Sequence, residues 1–282
     1  MLVGALGYKV MDYLSFITPY LIFTMLLLTF SKISLRDLRP RLSHLYLLCI
    51  EIIGAIAIYY LLAPFDPIVA QGMMICIICP TATAAAVVTG KLGGNVASIT
   101  TYTLLCNIAV AFVIPALFPI IAPSANHTSF WAAFSHIMGR IFPLLICPFL
   151  LAQLIRLIAP KINSKLSSIS GLAFYMWAIA LTIAMGMTVR SLIEEPTDIT
   201  TLIYLSLGSL IACLFQFFTG KAIGKSTNDT IACGQSLGQK NTILAIWICS
   251  AYLNPVTALA PGLYVIWQNI FNSSQLYLAR KK

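Results

Sequence analysis

Apolar runs of membrane-spanning length follow one another along this chain with almost nothing between them. A helix needs roughly 20 consecutive apolar residues to cross a bilayer. Nine segments meet that requirement, at about 13–30, 42–62, 68–89, 95–120, 130–157, 169–188, 200–222, 230–250 and 256–277. The stretches between them are too short for a soluble domain or a linker. Only 9% of the 282 residues are charged and 60% are hydrophobic, whereas a soluble domain carries about 25% charged residues. Such a chain cannot cover a water-facing surface. The expectation is an all-α polytopic membrane protein, one domain over 1–282, with the lipid bilayer as its first partner. The first run lacks a basic leader and passes straight into a span, so no removable signal peptide is expected.

A net charge of +9 invites a nucleic-acid reading, and its distribution argues against one. Thirteen of the seventeen basic residues sit in alternate loops: Lys32, Arg36, Arg39 and Arg41; Lys91; Arg156, Lys161 and Lys165; Lys221 and Lys225; and Arg280, Lys281 and Lys282. The other loops hold Asp66, no charge around 121–129, then Arg190 with Glu194, Glu195 and Asp198. This is the positive-inside pattern. It predicts an outside N-terminus and a cytoplasmic C-terminus, with the bacterial inner membrane as the default location. Asn126-His127-Thr128 fits a glycosylation acceptor on the outer side, relevant only in a eukaryotic secretory pathway.

No enzyme chemistry is legible. Cys76 and Cys79 form a C-x-x-C, but a second pair and clustered histidines are missing, so the eight cysteines read as small packing residues. His44, His127 and His136 show no metal-ligand spacing, and there is no phosphate-cradling loop. Neither a cofactor nor a metal is expected.

Two spans depart from plain apolar helix. CPTATAAAVVTGKLGGNVASITTYT, from Cys79 to Thr103, packs Pro80, Gly90, Gly93 and Gly94 among alanines and hydroxyls. Proline and glycine interrupt helices, and small residues let helices approach closely in lipid. GQSLGQKNT, from Gly234 to Thr242, places six polar side chains in nine residues: Gln235, Ser236, Gln239, Lys240, Asn241 and Thr242. Irregular polar backbone at that depth survives only inside protein or along a wet cavity. Paired interrupted segments, one in each half, mark the binding site of secondary transporters built from inverted repeats. Glu51 and Lys240 both fall near the centres of their spans. A charge there costs about 2.5–3.5 kcal/mol on insertion scales, so an acid and a base at one depth suggest a pair. Arg140, a third of the way into its span, is the other candidate partner for Glu51.

These residues carry a family likeness. The Cys79–Thr103 stretch resembles the crossover helix of the bile acid:sodium symporter family, which begins with a Cys-Pro motif and runs on to a Gly-Asn-Val motif. GQSLGQKNTILA resembles that family's second crossing segment, and IWQNIFNSSQLYLA its last helix. The resemblance implies panel and core domains and inverted repeats whose broken helices cross at mid-membrane. The first repeat would span about 13–120 without its leading helix, and the second about 130–277. The crossing regions would be about 79–95 and 233–243.

The departures from the family pattern concern its sodium ligands. The family's Ser-Asn pair falls on Ala85 and Ala86, a later serine on Ile99, a glutamate on Ser236 and a glutamine on Lys240, while a threonine is kept as Thr103. A further family glutamine falls on Glu51. Hard cations need several oxygen ligands; here oxygens are gone and an ammonium stands in their place. The expectation is therefore a sodium-independent carrier of a small organic anion working by alternating access, with Lys240 as a built-in substitute for sodium. Candidate binding and coupling residues are Lys240, Glu51, Gln235, Ser236, Gln239, Asn241, Thr242, Thr83, Asn95, Thr103, Gln268 and Asn269. Burial disfavours an ammonium and a neighbouring carboxylate favours it, so proton coupling, exchange and facilitated diffusion all stay open. One alternative is a rebuilt sodium site using Glu51, Asn95, Thr81, Thr83, Thr100, Thr101 and Thr103. Another is a membrane sensor on a transporter fold, since a fold does not fix a function.

Overall fold

The computed structural model describes residues 2–122 and 129–280, so the Asn126-His127-Thr128 motif, Lys281 and Lys282 lie outside the described residues. The secondary structure is helical: α1 (Leu2–Leu6), α2 (Tyr8–Tyr13), α3 (Thr18–Phe30), α4 (Leu42–Leu62), α5 (Pro67–Ile78), α6 (Ala85–Lys91), α7 (Val96–Ile121), α8 (Phe130–Ile158), α9 (Pro160–Ser168), α10 (Ser170–Glu194), α11 (Ile199–Ser226), α12 (Thr230–Gly238), α13 (Thr242–Tyr252) and α14 (Leu259–Arg280).

Among the described residues six helical stretches are long and apolar enough to cross a membrane: Tyr8–Phe30, Leu42–Leu62, Val96–Ile121, Phe130–Ile158, Gly171–Glu194 and Ile199–Ser226. The chain is a multi-pass membrane protein. The remaining three expected spans differ from continuous apolar helices for local reasons. The segment expected at 68–89 stops at Ile78 and resumes at Ala85, and the one at 230–250 stops at Gly238 and resumes at Thr242. The third, α14, is continuous, but Gln268, Asn269, Asn272, Ser273, Ser274 and Gln275 dilute its apolar character.

The chain divides into two compact units. One comprises Met1–Leu38 and Asn107–Arg190. Within it α1 lies against α10 so closely that a side chain at Gly4 would strike the Thr182 backbone. Asp12 and Arg190 form an ion pair there. Phe30 meets Phe149 edge-on at 5.5 Å, joining α3 to α8.

The second unit comprises Arg39–Cys106 and Ser191–Lys282 and holds both interrupted segments. Its tightest seam is α11 on α12. Gly220 and Gly224, four residues apart, present a flat strip to the partner backbone. A Cβ at Gly220 would fall 3.0 Å from the Gly234 Cα, and one at Gly224 would fall 2.6 Å from the Asp229 oxygen. In lipid, where apolar surface gains nothing by leaving its solvent, such close backbone approach is a main source of helix association. At the start of α5, Asp66 caps the helix through the amides of Ile68 (2.8 Å) and Val69 (3.1 Å). Its other oxygen accepts from Thr201 of α11 at 2.6 Å.

Candidate functional site

Pro80 has no amide hydrogen and cannot continue α5. The chain leaves the helix at Cys79, which is extended (φ −61°, ψ 137°). Gly238 ends α12 pressed against the Phe217 ring. Two interruptions in an apolar interior strand backbone donors and acceptors, and buried ones must find partners. They find each other. Thr81 and Lys240 form an antiparallel β-bridge. The Ala82 amide donates to the Gln239 carbonyl and the Asn241 amide to the Pro80 carbonyl, both at 2.8 Å. The Thr81 hydroxyl donates to the Ser236 carbonyl at 2.7 Å, and the Cys79 thiol points to the Asn241 carbonyl at 3.0 Å.

The other edge of the Lys240 strand is closed by a side chain. Gln268 of α14 accepts from the Lys240 amide at 2.9 Å and donates to the Lys240 carbonyl at 3.4 Å. Gln268 thus acts as a one-residue strand, holding Lys240 between two pairing edges.

With its backbone fixed, Lys240 extends its ammonium to Glu51 of α4. The Nζ–Oε1 distance is 2.8 Å, and the side chains are 1% and 0% exposed. Arg140 is exposed on α8. The second carboxylate oxygen accepts from the Tyr102 hydroxyl, and the Cys106 thiol lies 3.2 and 3.3 Å from the two oxygens. Tyr102 and Cys106 are one turn apart on α7, so one face of that helix serves one carboxylate.

The positions that resemble sodium ligands have a different character. Ala85, Ile99 and Ala232 form a fully buried apolar cluster, with Ala86 packed against it. Thr103 is buried and donates to the Ile99 carbonyl of its own helix at 2.8 Å. Thr101 does likewise to Ala97 at 2.8 Å and accepts from the Arg39 amide at 3.2 Å.

The crossing gathers Lys240, Glu51, Gln235, Ser236, Gln239, Asn241, Thr242 and Gln268 in one buried region, while Thr83 is half-buried. Asn241 caps α13 through the Leu244 amide at 3.3 Å. Gln235 donates to Asn272 of α14 at 2.8 Å. Two candidates stand apart. Asn95 is exposed and caps α7 through the Ser98 amide at 3.0 Å. Asn269 is on the exposed side of α14. The sequence reading missed Tyr102, Cys106 and Asn272. Asn272 had a signal, since it sits four residues after Gln268 on the same helical face; Tyr102 and Cys106 had none beyond their place in an apolar run.

Among the described residues no group of three or more His, Cys, Asp or Glu side chains is placed to hold a metal. The eight cysteines are free thiols, six of them buried. What the arrangement can do chemically is hold one buried charge pair at the meeting point of two broken helices.

Residues 35–280 match the model of the SBF-like CPA transporter family. No curated protein matches the chain.

Proposed function

The chain belongs to the SBF-like CPA transporter family, and from that premise we propose that it is a secondary carrier of a small organic anion, independent of sodium, in which Lys240 stands where the related symporters hold a cation. The observation that carries this is the Lys240–Glu51 pair, 2.8 Å apart and shut away from solvent. A sodium ion at the same place would face an ammonium. The apolar packing of Ala85 and Ile99 supports the same reading, because neither side chain offers an oxygen. In this reading the unit of Arg39–Cys106 and Ser191–Lys282 is the core, the other unit is the panel, and the repeats are about 13–120 and 130–277. Alternating access then moves the substrate past the crossing.

The test uses thermal stability of the purified protein against rising sodium, with potassium matching ionic strength. Ligands that bind only the folded state stabilise by mass action. No sodium-specific shift is expected. A saturable shift with sodium alone overturns the lysine-substitute reading and restores a rebuilt ion site.

A further inference from the structure

Among the described residues, buried polar atoms without a partner recur on side chains of or around α14: Gln216 bonds to Tyr264, Gln235 bonds to Asn272, and Gln239 precedes Lys240, which bonds to Gln268. Tyr264, Gln268, Asn272 and Gln275 share a face of α14 by their 4-4-3 spacing. At about 1.5 Å per residue they cover about 16 Å of its axis. The α12–α14 seam begins near the basic end of the unit. There the Lys221 stem runs over Gly234, and its ammonium sits 5.0 Å from the Phe271 ring centre. It ends at the crossing, where Gln268 brackets Lys240 and Tyr264 donates to the Gly238 carbonyl at 2.9 Å.

Along this path the Oε1 atoms of Gln216, Gln235 and Gln239 and the Nδ2 of Asn272 have no hydrogen-bond partner. Gln235 and Asn272 are 1% and 5% exposed. They bond to each other once, and the same Asn272 oxygen accepts from Gln275 at 3.3 Å, which leaves an acceptor on Gln235 and a donor on Asn272; turning both amides over exchanges these two and also strips Gln275 of its acceptor. Gln216 already donates both to Tyr264 and to the Cys76 carbonyl, each at 3.0 Å. Lys240 adds to the count. An ammonium has three donors, and among the described residues Glu51 is its one acceptor.

The mixture decides what fills the seam. A cation would satisfy the glutamine oxygens and be repelled by Lys240. An anion would satisfy Lys240 and Asn272 and be repelled by the glutamine oxygens. Only a species that both donates and accepts meets every deficit. Buried water typically makes about three such bonds, in sites of this polar kind. We propose that the α12–α14 seam holds a file of internal water that connects the Lys240–Glu51 pair to the aqueous phase at the Lys221 end. This rests on the carrier reading and sharpens it, because it gives protons a way to the buried pair and so selects proton coupling among the modes left open. The titratable groups around the pair are Tyr102 and Cys106 on α7, Cys76 and Cys79 on α5, Cys249 on α13 and Tyr264 on α14, and the base that an arriving proton would meet is the Glu51 carboxylate.

Millisecond hydroxyl-radical labelling of the full-length protein in nanodiscs, read by mass spectrometry, tests the file without a transported solute. Radicals made from bound water mark the nearest rings. Tyr264 is as buried as Phe30 and Phe118, yet it is expected to label several-fold more. Replacing both seam amides, Gln235→Leu with Asn272→Leu, is expected to return Tyr264 to the level of those phenylalanines. It is also expected to slow the infrared response of the Glu51 carboxylate band to a pH jump, the band being assigned with Glu51→Gln. Equal labelling of Tyr264 and the two phenylalanines in the unmodified protein overturns the file, whether or not the double variant folds. So does a double variant that folds and keeps both signals. Neither result touches the carrier reading, which fails separately if reconstituted liposomes pass no organic anion.

Discussion

The two broken segments of the second unit meet at one point and are built in opposite ways. The first, from Cys79 to Thr103, is dry where the family likeness would place ion ligands. Ala85 and Ile99 are packed on Ala232, and the hydroxyls of Thr81 and Thr103 are bonded to backbone. The second, from Cys233 to Thr242, is crowded with polar groups, some bonded across the crossing and some left over. The difference teaches where the positive charge of such a site can reside. The positions that the likeness assigns to oxygen ligands in the first segment are hydrocarbon here. The second carries a covalently tethered cation, the ammonium of Lys240. Its anionic counterpart stands on α4, outside both segments, so the charge balance of the crossing is kept by a third helix.

The comparison breaks most visibly if the charge pair is opened. Lys240→Met leaves Glu51 buried without its base, and truncating one partner of a buried pair costs about 3–5 kcal/mol. Adding Glu51→Gln to Lys240→Met is expected to recover a large part of that loss. A double-mutant cycle measured by detergent-solubilised unfolding checks it, and simple additivity of the two single changes sinks the pairing.

The dry side is tested next. Ile99→Ala removes a fully buried side chain from the Ala85–Ala232 cluster and should cost about 2–5 kcal/mol. Ala85→Ser should cost about 1–3 kcal/mol, because its hydroxyl enters a cluster of hydrocarbon. If the serine is tolerated and confers sodium-dependent stabilisation in the same melting assay, the first segment is an ion site in reserve and the contrast dissolves.

An effect of the same order is expected where the second segment is bracketed from outside. Gln268→Leu strips partners from the Lys240 amide and carbonyl, at about 1–3 kcal/mol for each buried group left unsatisfied. Hydrogen exchange at the Lys240 amide should accelerate while that of α5 stays protected. Smallest of all, Asn95→Ala and Asn241→Ala each remove a helix cap, typically worth about 1 kcal/mol. Of these two, only the Asn241 change lies at the buried crossing. In a reconstituted flux assay it is expected to slow transport, and Asn95→Ala is not.

Much of this was legible before any coordinates. Apolar runs placed the long helices, and Pro80 together with the polar load around Lys240 placed both interruptions. An acid and a base at equal depth pointed to each other across 189 residues of chain. The rest was illegible for identifiable reasons. Tyr102 and Cys106 sit in an apolar helix and read as core, which they are, while also serving a carboxylate. Gln268 read as a ligand, whereas much of its bonding capacity is spent on Lys240 backbone, a role that depends on another chain segment being extended beside it. Asn95 was read for the oxygen it offers near the first crossing; it is exposed and caps α7, which suits its position just before the apolar start of that helix. The expected start at residue 13 missed α1 and α2, whose pairing with α10 rests on glycines at Gly4 and Gly186 rather than on an apolar run.

The separation of Glu51 and Lys240 along the chain has a consequence for biosynthesis. Ribosomes add about 5–20 residues each second, so after α4 has been made the cell waits about 10–40 s before the residue that neutralises it leaves the ribosome. Throughout that interval the nascent membrane segment carries an uncompensated acidic group. A chain that stalls or is cut short before α12 is complete keeps that defect permanently and lacks the bridge that staples the interruptions. The ion pair therefore forms only in a molecule whose second half has been made, so its presence reports a finished chain.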